Sequence, residues 1–325
     1  MKYNFVGRTG LKVSEIGLGC MSFGRFNDEK ESFKILDEAI ENGINLFDTA
    51  DIYGKRISED GIGDGLSEEI IGRWLAQDRK RRNKIVLATK VYGKMGDGPN
   101  DGGLSAYHIK RACEESLRRL KTDHIDLYQL HVAERYISWE EKWQAMEQLV
   151  REGKITYIGS SNHSAGDIAI AQCAAKSRNF FGIISEQCRY NLTYRDAELE
   201  VLPICKRLGV GIFTHNSLAA GILAGKYNRD DKVGRRVERS DLGKKYMEQI
   251  NQYEKLCKGI GIEPALVATA WLVQNPIVTA PLIGIRTVKQ LRSTLGAIDI
   301  TLPEEVLDKL DSIWPGPKGE YPFPV

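Results

Sequence analysis

Eight short apolar runs, each followed by a longer amphipathic stretch, constrain this chain more than any other feature of it. The runs are 15–19 (EIGLG), 44–49 (INLFDT), 85–90 (IVLATK), 125–131 (IDLYQLH), 155–161 (ITYIGSS), 182–187 (GIISEQ), 210–215 (VGIFTH) and 279–284 (TAPLIG). They do not alternate apolar with polar, as strands buried on both faces do not. The stretches between them carry apolar residues at helical spacing, as in Phe33, Leu36 and Ile40 before a stop at Gly43. Another opens on Ser105 as a helix cap. Parallel neighbours need a crossover, and a helix is the usual one. Eight such units in 325 residues predict a closed (β/α)₈ TIM barrel over a single domain, 1–325. The segment 3–14, turning around glycine, predicts a β-hairpin that plugs the barrel bottom. The proline-rich tail 314–325 cannot be helix and is expected to lie over the surface.

Composition narrows the partners. Lys plus Arg number 46 against 44 for Asp plus Glu, a formal charge of +2, so no electrostatic case exists for nucleic acid or an anionic membrane. The basic run 79–84 reads as a helix end. Six cysteines, at 20, 113, 173, 188, 205 and 257, form no CxxC pair. They fit reduced, buried thiols, with no metal site. With no long apolar stretch, a soluble cytoplasmic protein is expected. The sequence leaves a homo-oligomer open.

Chemistry enters at the strand ends. The runs finish on Asp48, Lys90, His131, Ser161 with Asn162, Gln187, His215 and Gly284, and in a parallel barrel these ends share one rim. Tyr53 follows Asp48 by five residues. A free tyrosine titrates near pH ~10, too high to be an effective acid at neutrality. A lysine beside it favours the phenolate and lowers that value, and Asp48 would hold the lysine charged. His131 can meet the same oxygen that Tyr53 protonates. Such a set protonates an oxyanion while a cofactor delivers hydride to carbon. No GxGxxG follows a strand, so a Rossmann site is unsupported. Ser161, Asn162 and Gln187 could pair with a carboxamide, and Gly284, Arg286 and Thr287 stand where phosphate binds well.

With these residues in place, the chain resembles the aldo-keto reductases along nearly its whole length. The motifs are FDTADIYG (47–54), SEEIIGRWL, IVLATK, DLYQLH, YIGSSN, SEQCRYN and LIGIRTVKQL. The resemblance implies NADPH-dependent reduction of an aldehyde or ketone, a small-molecule carbonyl, in the mouth of a (β/α)₈ barrel. It makes Tyr53 the general acid, with Lys90 and Asp48 tuning it and His131 orienting the carbonyl. It assigns Ser161, Asn162 and Gln187 to the nicotinamide, and Arg286 with Thr287 to the 2′-phosphate. Gln290 falls to the adenine side, and Ser217, Leu218, Gly221 and Lys226 to the pyrophosphate. The bacterial branch that reduces nucleotide-activated deoxysugars looks nearest, and potassium-channel β subunits, which resemble the family, offer a regulatory alternative. Where the family usually stacks an aromatic on the nicotinamide and follows it with Ser-Pro, this chain has His215, Asn216 and Ser217. Ser293 and Thr294 replace a frequent Glu-Asn. Phe23, Tyr92, Val132 and Arg135 adjoin strand ends and are candidate pocket walls. Trp139 and Trp143, at helical spacing, are expected in the core.

Overall fold

Each of the eight apolar runs forms a strand. The computed structural model describes residues 1–54, 61–225 and 245–317. Two short strands open the chain, β1 (Tyr3–Phe5) and β2 (Lys12–Ser14), paired antiparallel with Tyr3 opposite Ser14. Then follow β3 (Gly17–Gly19), β4 (Leu46–Asp48), β5 (Val86–Val91), β6 (Ile125–Leu130) and β7 (Ile155–Ser161). The set is completed by β8 (Ile183–Arg189), β9 (Gly211–His215) and β10 (Ala280–Gly284). Strands β3 to β10 close in the order β10-β3-β4-β5-β6-β7-β8-β9, every neighbouring pair parallel. This is the (β/α)₈ barrel.

The helices are α1 (Glu29–Glu41), α2 (Leu66–Gln77), α3 (Ala106–Leu120), α4 (Trp139–Arg151) and α5 (Ala165–Ser177). After them come α6 (Val201–Leu208), α7 (Met247–Gly259), α8 (Pro264–Gln274), α9 (Val288–Leu295) and α10 (Glu304–Ile313). Their starts are written in the sequence. Asp28, Ser105, Ser138, Ser164 and Thr287 each accept a backbone N–H from the first turn, satisfying donors a helix cannot pair internally. Ser164 and Asp167 form a reciprocal capping box. Apolar side chains from these helices and from the outward faces of the strands build the main core, including Trp74, Trp143, Tyr128 and Tyr253. Trp139 and Trp143 belong to it, their rings 5.3 Å apart.

The hairpin seals the bottom. Val6 and Val13 are fully buried against Leu46, Val86, Leu127, Ile184, Phe213 and Leu282, the lower inward side chains of the strands. Asn4 donates to Thr279 O at 2.9 Å, and Arg8 N donates to Gly209 O at 2.9 Å. Gly7 makes the fit possible. Its φ is +55°, and a Cβ there would stand 2.3 Å from Gly209 O.

Two expectations need correction. Cys173 is exposed, although the other five cysteines are buried. Phe23, a candidate pocket wall, is instead fully covered in the core. Residues 79–84, read as a solvated helix end and loop, form a 3₁₀ segment just past α2 with no buried residue, and its arginines serve the fold. There Arg81 pairs with Asp37, and Arg82 with Asp126. No single helix among the described residues is long and apolar enough to cross a membrane. Part of the tail, 318–325, lies outside the described residues.

Candidate active site

The polar layer is generated by strand period. Along β4, Leu46 faces the bottom and Asp48 is two residues higher on the same face. The same step takes Ala88 to Lys90 on β5, Leu127 to Gln129 on β6 and Ser185 to Gln187 on β8. Register sets Lys90 opposite Gln129 and Ser161 opposite Gln187, while Asp48 stands opposite Ala88.

Lys90 is fully buried, and its ammonium is held on three sides. It donates to Asp48 Oδ1 at 2.5 Å and to Thr49 O at 2.8 Å, and reaches Tyr53 Oη at 3.5 Å. Tyr53 comes from the turn after β4, where its N–H bonds Ala50 O and its carbonyl receives Ser67 N. Its hydroxyl also lies 3.4 Å from His131 Nε2, with the two rings edge to face at 5.6 Å. The four residues expected from the sequence are therefore joined, Lys90 and His131 at the Tyr53 hydroxyl and Asp48 behind the lysine.

The electrostatics differ from the sequence expectation in one respect. Burial pushes the Tyr53 phenol up, and the nearby Lys90 charge opposes that rise without cancelling it. Tyr53 is thus a neutral phenol at pH 7, not a phenolate. Burial alone would lower the Lys90 ammonium, but Asp48 and Tyr53 outweigh it and raise the pKa, so the lysine stays charged. His131 is pushed down to about 3 by burial, by Lys90 and by His215, and is neutral at working pH.

Two further polar residues complete the layer. Asp48 Oδ2 accepts from Gln129 Nε2 at 2.8 Å and from Gln187 Nε2 at 2.9 Å. Gln129 is not the last residue of its run, so strand ends alone do not point to it. The signal was present, since Gln129 lies two residues before His131 and so shares its face.

The residues expected to bind cofactor fall into three groups around the mouth. In the first, Ser161 Oγ donates to Gln187 O at 2.9 Å, and Asn162 Nδ2 donates to Ser161 Oγ at 3.0 Å. Asn162 has a positive φ of 57°, a conformation asparagine tolerates better than most residues. His215 Nε2 meets Asn162 Oδ1 at 3.0 Å, which puts the imidazole proton on that nitrogen. The His215 ring is pushed down to about 4, chiefly by burial and then by Lys90. In the second group, Ser217 Oγ donates to Leu282 O at 3.2 Å, and Asn216, Ala219, Ala220 and Gly221 all have positive φ. Leu218 lies within that turn, its carbonyl accepting from Gly221 N. Lys226 lies outside the described residues.

The third group surrounds the end of β10. Gly284 is exposed at the strand's tip. Arg286 stacks over Phe26 with its guanidinium carbon 4.3 Å from the ring centre, and has no ion pair to any described residue. Its carbonyl accepts from Asn27 Nδ2 at 2.5 Å. Gln290 Oε1 accepts from Arg286 N at 2.9 Å, so this side chain braces the loop. Thr287 caps α9. Of the pocket walls expected, Tyr92 and Val132 remain at the surface, while Arg135 forms an exposed bidentate pair with Asp167.

Comparison with known proteins agrees with this geometry. The model of the Aldo/keto reductase family matches residues 15–315. The chain belongs to the aldo/keto reductase family. It is 49% identical to the uncharacterized oxidoreductase YrpG of Bacillus subtilis (strain 168), covering 99% of this chain and 98% of that one. It is 32% identical to a putative aryl-alcohol dehydrogenase of Schizosaccharomyces pombe (strain 972 / ATCC 24843), over 95% of this chain and 94% of the relative. A probable voltage-gated potassium channel subunit beta of Arabidopsis thaliana is also 32% identical, over 96% of each.

Proposed function

We propose that this oxidoreductase reduces an aldehyde or ketone with NADPH, Tyr53 giving its proton to the carbonyl oxygen. The observation that carries the reading is the meeting of Lys90 and His131 at the Tyr53 hydroxyl, with Asp48 paired to that lysine. A neutral phenol is the form that can donate, and the lysine beside it stabilises the phenolate left behind. Asp48 holds that lysine in place. His131, neutral and within 3.4 Å of the same hydroxyl, orients an incoming oxygen.

The mouth suits the cofactor. Arg286 offers a guanidinium already held in place by a ring and lacking a carboxylate among the described residues, which favours a phosphate. NADPH carries one there that NADH lacks. The positive-φ turn through Asn216–Gly221 is braced from within, Ala219 N, Ala220 N and Gly221 N donating to Asn216 O, Asn216 Oδ1 and Leu218 O. Gln187 would face the nicotinamide carboxamide, with Ser161 and Asn162 beside it. His215 and Ser217 would line the seat, with Leu218, Gly221 and Lys226 along the pyrophosphate. Gly284, Thr287 and Gln290 would border the adenosine end. When bound, NADPH supplies the hydride.

Turnover of NADPH with a panel of aldehydes tests the reading. Reduction of at least one, with Arg286→Ala weakening NADPH binding far more than NADH binding, is the expected result. Single-turnover rates at background for every aldehyde would contradict it and favour a cofactor-holding regulatory subunit. The resemblance to a potassium-channel subunit is the reason to weigh that second reading. Faster reduction of a nucleotide-linked ketosugar than of nitrobenzaldehyde would select the deoxysugar branch. The reverse order would favour aryl aldehydes, to which the yeast relative's name points.

A further inference from the structure

Gln129 is fully buried, carries no charge and touches neither Tyr53 nor the mouth directly, yet it is tied to both halves of the site. Its Nε2 donates to Asp48 Oδ2 at 2.8 Å, and its Oε1 accepts from Gln187 Nε2 at 3.1 Å. Gln187 Nε2 also donates to Asp48 Oδ2 at 2.9 Å. Two amides thus turn their NH₂ groups toward one carboxylate oxygen. Asp48 pairs with an ammonium through its other oxygen, so Oδ2 can only accept, and a flipped amide would set carbonyl against carboxylate. The orientation of both amides follows from charge.

The consequence falls on Gln187. Both of its amide N–H groups are used inside the barrel, so the atom left to face a ligand is Oε1, an acceptor. Asn162 has no comparable freedom, because its carbonyl oxygen is taken by His215 and its NH₂ by Ser161 Oγ and His131 O. The barrel makes room for this arrangement. A Cβ at position 159 would stand 2.9 Å from Gln129 Cγ and 2.7 Å from Ser185 Oγ, so glycine is what lets the Gln129 side chain lie across the strand beside it.

We infer that Gln129 is a positioning residue: it fixes Gln187 with its carbonyl outward, so that the mouth selects a ring substituent bearing an N–H donor, and it steadies the Asp48 charge beneath Lys90. The inference rests on the reductase reading for its ligand, a pyridine carboxamide. Its test needs only binding. An acceptor at Oε1 gains from a carboxamide and gains nothing from an acetyl group, which has no N–H to give.

The experiment measures dissociation constants of NADP⁺ and its 3-acetylpyridine analogue for the full chain and two variants, with melting curves confirming folding. Wild type should favour the carboxamide by about tenfold, the value of one well-made hydrogen bond. In Gln129→Met the ratio should fall by about threefold, because Gln187 loses the acceptor of its second amide N–H and is held by Asp48 alone. In Gln129→Glu the introduced carboxyl can donate to Asp48 only while protonated. Its ratio should approach wild type near about pH 5.5 and decline by about pH 8, as deprotonation sets two carboxylates together. The groups facing this position are Asp48 and Lys90, with Tyr53 above and His131 and His215 at the mouth. Both histidines stay neutral over that range, so the introduced carboxyl accounts for the change. A folded Gln129→Met that keeps the wild-type ratio overturns the inference. If that variant does not fold, a pH-independent ratio in Gln129→Glu overturns it. Failure of the reductase reading would show separately, as NADP⁺ binding to wild type without reduction of any aldehyde.

Discussion

The two ends of the barrel interior are two residues apart on each strand and chemically opposite. At the bottom, Leu46, Ala88, Leu127, Phe213 and the hairpin's Val6 and Val13 make a dry apolar plug. One step up, Asp48, Lys90, Gln129 and Gln187 form a polar layer of which each member is almost wholly covered. Buried charges are tolerated only when paired and hydrogen-bonded, and every one here is. The difference shows how one strand alternation can serve two purposes, with the lower layer holding the barrel shut and the upper layer holding a paired charge beneath Tyr53.

Substitutions in the two layers should separate these purposes. Lys90→Met should lower kcat by at least about a thousandfold, since it removes the charge that stabilises the Tyr53 phenolate. It should also destabilise the fold by roughly 3–5 kcal/mol, because Asp48 is left buried without its counter-ion. Adding Asp48→Leu to that variant should restore much of the melting temperature and none of the activity. Recovery of activity by the double variant would erase the distinction between the layers.

In the lower layer, Phe213→Ala should cost about 3–5 kcal/mol through the cavity it leaves, read by denaturant unfolding. Its kcat should stay within about threefold of wild type. A large fall in kcat without loss of stability would show that the plug reaches into the chemistry. Gly7→Ala should destabilise the hairpin by roughly 1–3 kcal/mol, since both its φ and the Gly209 carbonyl oppose a side chain.

The smallest effect concerns a carboxyl outside both layers. Glu186 points outward between Gln187 and Ser185, accepting from Ser160 Oγ and from His163 N. Burial pushes it up to about 7, against an unfolded value near ~4.3. A raised carboxyl binds its proton more tightly when folded, so its stability is present below the unfolded value and is lost as pH rises through about 7. Glu186→Gln should therefore gain in melting temperature relative to wild type between about pH 5 and about pH 8. A constant difference across that range would mean that the folded carboxyl ionises as it does in the unfolded chain, and that burial does not raise it.

Much of this was legible in the sequence because it depended on local pattern. Apolar runs bounded by glycine and polar residues gave the eight strands, and Ser105, by its position, gave a cap. Tyr53 and the three residues grouped with it were legible because strand ends in a parallel barrel must share a rim. What escaped needed three dimensions. The bond from His215 to Asn162 joins the last residue of β9 to the bend just past β7. Burial reverses the expected direction of the Tyr53 shift, and burial cannot be seen in FDTADIYG. Phe23 lies beside a strand end, as pocket walls do, but its turn folds it under the rim.

The central claim is that Tyr53 supplies the proton. The most direct test is a single-turnover measurement of dihydronicotinamide absorbance after mixing NADPH-loaded protein with an aldehyde the wild type reduces, repeated with Tyr53→Phe. Removal of the hydroxyl should slow the absorbance loss by about a hundredfold to ten-thousandfold, with the NADPH dissociation constant within about threefold of wild type. An equal rate in the two proteins would contradict the account.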